Sequence, residues 1–193
     1  MTLFKKAWLP LSLTFLSLAA TLSGTAVTFA LRYEREAILA GQAWRLVTGN
    51  LVQAGLSHWL LNILGLWLVW LLFPGPTGRV NGLWVACVAG LATTLGLLWF
   101  SPDVRWYVGL SGLLHGLLAG ALVASLPGAE RRLALAVGLL LILKLTYEQH
   151  FGPLPGSEAA SGVPVVVDAH LYGSIGGLTA GLFGLGQAAL RRR

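Results

Sequence analysis

The stretch WYVGLSGLLHGLLAG, residues 106–120, is apolar enough to sit in lipid, yet it sets a serine among glycines and a histidine four residues later. Glycine costs about 1 kcal/mol against alanine inside a helix. Here Gly109, Gly112, Gly116 and Gly120 surround Ser111. A segment that gives up so much helix propensity and packing bulk does so where another backbone must come close.

Composition sets the solvent. Of the 193 residues, 56% are hydrophobic and only 10% charged, against about 25% charged in ordinary soluble domains. That balance predicts an integral membrane protein, with the lipid bilayer as its partner. The net charge of +6 does not point to nucleic acid. The basic residues punctuate apolar runs instead of clustering on a polar face, as they would in a nucleic-acid binder. Cys87 is the single cysteine, so no intramolecular disulfide can form.

About 20 apolar residues span a bilayer. Working outward from 106–126, five segments free or nearly free of charge fit that length: 7–31, 51–73, 80–100, 106–126 and 163–190, the last interrupted by Asp168. A shorter sixth, 133–147, contains Lys144. Helix breakers separate them, as in PGPTGR at 74–79, SPD at 101–103 and PGAERR at 127–132. The expected fold is an all-α membrane protein, one domain over 1–193 with six transmembrane helices.

Charge orients it. With both termini inside, Lys5, Lys6, Arg79, Arg131, Arg132, Arg191, Arg192 and Arg193 face the cytoplasm. Arg32, Arg35, Arg45 and Arg105 lie outside, with every acid except Glu130 on or near that side. The excess of inner positive charge supports an N-in, C-in topology. A signal peptide at the N-terminus would need a shorter apolar run than 7–31 offers. The outer segment 32–53 reads as a structured cap, and 148–164, rich in Gly, Pro, Ser and Ala, as a mobile loop.

Polar groups inside spans mark function or internal packing. They are His58, Asn62, Ser111, His115, Lys144, Asp168 and His170. Counting to the next inner arginine puts His58 21 residues from Arg79, Ser111 20 from Arg131, and His170 21 from Arg191. At 1.5 Å per residue these are nearly equal heights, so three polar clusters from distant parts of the chain share one layer near the outer surface.

Lateral approach has its own signal. Gly112, Gly116 and Gly120 recur every four residues below Ser111, as do Gly173, Gly177 and Gly181 below His170. Small residues at this spacing let membrane helices come into near backbone contact. Two such stripes would bring Ser111 and His170 within hydrogen-bonding reach. A Ser–His pair is the minimum for nucleophilic catalysis. His58 and Asn62, at i and i+4, share one face and can donate hydrogen bonds to an oxyanion. Asp168, two residues from His170, falls on the opposite side of a helix, so the spacing predicts a dyad. His115 faces Ser111 at i+4 and fits a site-shaping residue or a packing histidine equally well. Lys144 and Glu148 fit an i, i+4 helix-end pair. No H-E-x-x-H zinc motif occurs, and neither metal nor cofactor is expected.

At these residues the sequence resembles the rhomboid intramembrane serine proteases. The matching pieces are WR at Trp44 and Arg45, HWLLN from His58 to Asn62 as HxxxN, GLSG from Gly109 to Gly112 as GxSG, and AHLYGSIGG at 169–177 as AHxxGxxxG. The resemblance implies a rhomboid-like bundle, Ser111 as nucleophile, His170 as base, and His58 with Asn62 at the oxyanion. Gly109, Gly112, Gly173 and Gly177 would shape the site with His115. Gln53 stands where many rhomboids have a histidine, and His115 where many have an aromatic residue. GLSGLLHG, YEQHFG and DAHLYG look more like the rhombosortase subgroup. That subgroup implies a bacterial inner-membrane enzyme facing the periplasm. Its implied substrates are exported proteins carrying a C-terminal Gly-rich motif, a membrane helix and a basic tail. The alternatives are a general rhomboid protease with other single-span substrates and a catalytically inactive relative that binds membrane clients.

Overall fold

A computed structural model describes residues 7–73 and 80–190. Lys5, Lys6, Arg79 and the three C-terminal arginines, assigned above to the inner side, lie outside the described residues, as does PGPTGR at 74–79. Among the described residues the chain is mostly helical. The helices are α1 (Trp8–Leu22), α2 (Thr25–Leu31), α3 (Arg35–Leu39), α4 (Arg45–Thr48), α5 (Leu56–Leu72), α6 (Gly82–Phe100), α7 (Ser111–Ser125), α8 (Arg131–Phe151), α9 (Ser157–Ser161) and α10 (Val167–Leu190). One two-stranded antiparallel ribbon joins β1 (Tyr33–Glu34) to β2 (Trp106–Tyr107).

α6 and α8 are each long and apolar enough to cross a membrane, while α5 and α7 are shorter apolar helices. The expected uninterrupted span over 7–31 is corrected: α1 and α2 are bent by 120° at their break. Gly24, at φ +87°, supplies the backbone conformation for that turn. Likewise 106–126 is not one helix. Its first residues form β2, and α7 begins at Ser111.

The centre is a three-helix contact of α6, α7 and α10, and the glycine stripes build it. A Cβ on Gly173 would collide with the Gly112 carbonyl, and one on Gly177 with that of Gly116. At Gly181 an added Cβ would lie 3.1 Å from the Gly120 Cα. The stripes on α7 and α10 therefore meet in register. On the other face of α10, Gly176 abuts Ala92 and Gly96 receives the Tyr172 ring. Outside this centre, α1 packs on α5 through Leu9, Leu13, Ile63 and Leu66. Trp59 Nε1 donates to Ser17 Oγ at 3.1 Å and Trp67 Nε1 to Thr14 Oγ1 at 3.2 Å, so the indoles are satisfied within the seam.

The segment 32–53 is ordered, as its composition suggested. Arg45 Nη1 donates to the carbonyls of Phe29 at 2.9 Å and Arg32 at 2.8 Å, and its Nε donates to Gln42 Oε1 at 2.7 Å. One guanidinium thus ties the cap to the end of α2. The segment 148–164, read from sequence as a mobile loop, contains helical residues. α8 continues to Phe151, α9 occupies Ser157–Ser161, and Glu158 accepts from the Val165 amide at 3.1 Å. Local side-chain to backbone bonds of this kind order short polar segments that composition alone marks as loop.

Candidate active site

Ser111 is the first residue of α7, and the turn before it is tightly specified. Gly109 has φ +130°, and a Cβ there would lie 2.8 Å from His58 Cε1, so conformation and space both call for glycine. The Tyr107 hydroxyl donates to the Gly109 carbonyl at 2.6 Å and accepts from the Gly112 amide at 3.3 Å. The Gly109 amide donates to Gly49 in the cap at 3.1 Å. With β2 paired to β1, the cap holds the serine turn from above.

His170 sits in the first turns of α10, 6% exposed, and its place beside α7 follows from the glycine seam. Its imidazole stacks on that of His115, with centroids 4.1 Å apart and planes 16° apart. His115 Nδ1 donates to the Ser111 carbonyl at 2.7 Å. His115 thus lies flat against the His170 ring while anchored to the turn that carries Ser111.

His58 and Asn62 are buried on one face of α5. The Ala54 amide donates to His58 Nδ1 at 3.3 Å, so a neutral His58 carries its proton on Nε2, a donor. Asn62 Nδ2 donates to Gln53 Oε1 at 2.7 Å, which fixes the amide and leaves its second N–H available. Gln53, read from sequence only as a departure from a motif, is fully buried and orients Asn62. His58, Asn62, Ser111, His115 and His170 all line one cavity of about 520 Å³, which also meets Trp106, Val163 and Val166. The residues expected in a single layer, from α5, α7 and α10, therefore line one cavity.

Two acids differ in their relation to His170. Asp168 points away from His170, as the helix geometry required, and its Oδ2 accepts from Ser101 Oγ at 2.5 Å. Glu148 does form the i, i+4 pair, with Lys144 Nζ donating to its Oε2 at 2.6 Å. That same oxygen also lies 2.9 Å from His170 Nδ1. The helix-end reading captured half of this carboxylate's bonding. His115, Glu148 and His170 offer donor atoms within 4.8 Å of one another, a grouping that could in principle hold a metal. The stacked rings, the bond between Glu148 and His170 and the neighbouring Lys144 ammonium make it a poor cation site.

A domain of apolar helices around a cavity that a serine at one helix start and a histidine of a neighbouring helix both line suits an integral membrane protein. Residues 40–187 match the Rhomboid domain family. The chain belongs to the rhomboid family, whose members include intramembrane serine proteases. It is also similar to Rhomboid protease GluP of Bacillus subtilis (strain 168), at 29% identity over 161 residues. That match covers 83% of this chain and 30% of the relative, so the chain spans under a third of that relative's length.

Proposed function

We propose that this protein is a serine endopeptidase that cuts membrane-anchored proteins near the outer face of the bilayer. The observation that carries the reading is the shared cavity of Ser111 and His170, with their helices locked at the glycine seam. Ser111 Oγ attacks the scissile carbonyl while His170 Nε2 takes its proton. The resulting oxyanion accepts hydrogen bonds from His58 Nε2–H and the free Asn62 N–H. His170 then passes the proton to the leaving amine, and water entering through the cavity hydrolyses the acyl-enzyme.

The chain crosses the bilayer six times with both termini in the cytoplasm. The cavity then opens toward the periplasm of a bacterial inner membrane. A helical substrate hides its carbonyls in the i→i−4 ladder and must unwind before attack. Glycine-rich sequence unwinds most cheaply. The substrates are accordingly exported proteins with a Gly-rich motif, a C-terminal membrane helix and a basic tail, as in the rhombosortase subgroup. The similarity to Rhomboid protease GluP favours a second reading, a general rhomboid protease with other single-span substrates.

Mass spectrometry of exported proteins from wild-type and Ser111→Ala strains separates these readings. Retained C-terminal anchors in the variant, with wild-type ends beside a Gly-rich motif, are expected. Accumulation of uncut proteins with N-terminal anchors would support the general protease. No difference between the strains would favour an inactive client-binding relative.

A further inference from the structure

Among the described residues Glu148 is an unusual charge: its side chain is 2% exposed although its partner Lys144 is 28% exposed. An i, i+4 pair on a helix contributes about 0.3–0.5 kcal/mol when exposed. Such a gain does not offset taking a carboxylate out of water. A pair serving α8 alone would face outward, yet Glu148 faces the bundle and ends at His170 Nδ1.

We propose that Glu148 is a positioning residue: its carboxylate accepts the Nδ1 proton of His170 and fixes the tautomer whose Nε2 is free to take the Ser111 proton, while Lys144 holds the carboxylate in place. This rests on the roles given above to Ser111 and His170 and adds a third helix to them.

Among the described residues the surroundings leave this role to Glu148. His115 stacks on the ring and sets its plane, but its own Nδ1 is committed to the Ser111 carbonyl. Asp168 is bonded to Ser101 on the far face of α10. Lys144 Nζ lies 3.3 Å from His170 Nδ1. An ammonium can only donate, so in the absence of Glu148 it would pair with an unprotonated Nδ1 and drive the ring proton onto Nε2. That tautomer cannot accept the serine proton. The same lysine that steadies Glu148 would therefore poison the site once the carboxylate is gone.

This sign reversal gives a test that a merely structural role would not pass. Purified full-length protein in liposomes would be reacted with a fluorophosphonate, and the labelling rate of Ser111 followed. Glu148→Ala should slow labelling by about 100-fold, the usual scale of general-base catalysis. Adding Lys144→Met to Glu148→Ala should recover about tenfold of that loss, a non-additive response of coupled residues. Glu148→Gln, nearly isosteric and still an acceptor, should fall between Glu148→Ala and wild type. The wild type supplies a measurement that needs no variant fold: 15N spectra of labelled histidine, with His170→Ala used for assignment. A proton on Nδ1 is expected, and one on Nε2 would overturn the proposal. So would wild-type labelling by Glu148→Ala, or a double variant slower than the single one. Labelling that persists in Ser111→Ala would instead overturn the assignment of the nucleophile, a separate result.

Discussion

The two flanks of α10 are built on opposite principles. Toward α7 it presents Gly173, Gly177 and Gly181, and the two backbones touch with no side chain between them. Toward α8 it presents Leu171, Ser174, Ile175 and Leu178 across a cavity of about 470 Å³. Half of the most apolar window of α6, the other helix packed on α10, is buried, against 17% of that of α8. Backbone contact leaves few alternative arrangements, so the first flank fixes where Ser111 and His170 sit. The second is held in part by a polar contact, from Glu148 to His170, and leaves room for movement. The two flanks thus contrast a close backbone seam, which places Ser111 and His170, with a helix packed across open space.

The harshest way to break that contrast is to add one methyl group to the seam. Gly177→Ala would drive a Cβ into the Gly116 carbonyl, where no flexible side chain can yield. A loss above about 3 kcal/mol, at the upper end for overpacking, or outright failure to fold is expected in thermal or denaturant melts. A wild-type melt would mean that the stripes do not meet.

A smaller effect, on turnover with the fold intact, should come from α5. His58→Ala and Asn62→Ala each remove one donor facing the cavity. Turnover should fall about 10²–10³-fold, the scale known for one oxyanion donor, while fluorophosphonate labelling falls less. Equal losses in both assays would place these residues in the framework instead.

The smallest effect sharpens the comparison from the other flank. A Cβ on Gly138 of α8 would meet only Leu122 Cδ1, at 3.8 Å. Gly138→Ala should therefore change stability by less than about 1 kcal/mol, and in the stabilising direction, because alanine favours the helix. The same substitution on two glycines, one on each flank of the bundle, would have opposite signs.

Much of this was legible in the chain because glycine spacing, helix period and apolar run length are local quantities. The stripes at 112, 116, 120 and 173, 177, 181 announced a backbone contact, and the contact is there in register. Equal residue counts from His58, Ser111 and His170 to the next inner arginine announced one layer, and one cavity gathers them. What the sequence hid depends on three-dimensional neighbours. Glu148 has an obvious partner four residues away in Lys144, and nothing local shows that its second bond crosses to α10. Gln53 looked like an absence, a histidine missing from a motif, until its amide oxygen was found holding Asn62. The bend at Gly24 was masked by apolar sequence on both sides. The role of Tyr107 was hidden because a hydroxyl that closes the turn before Ser111 has no signature in an aromatic-rich stretch.

The proposed chemistry gives Ser111 the role of nucleophile and His170 that of its base. Peptide mapping by mass spectrometry after reaction with a fluorophosphonate tests it most directly, on wild-type, Ser111→Ala and His170→Ala protein that melts normally. One adduct, on Ser111, is expected in the wild type, none in Ser111→Ala, and a rate reduced by at least about 100-fold in His170→Ala. An adduct on another residue, or wild-type labelling in folded His170→Ala, would contradict it.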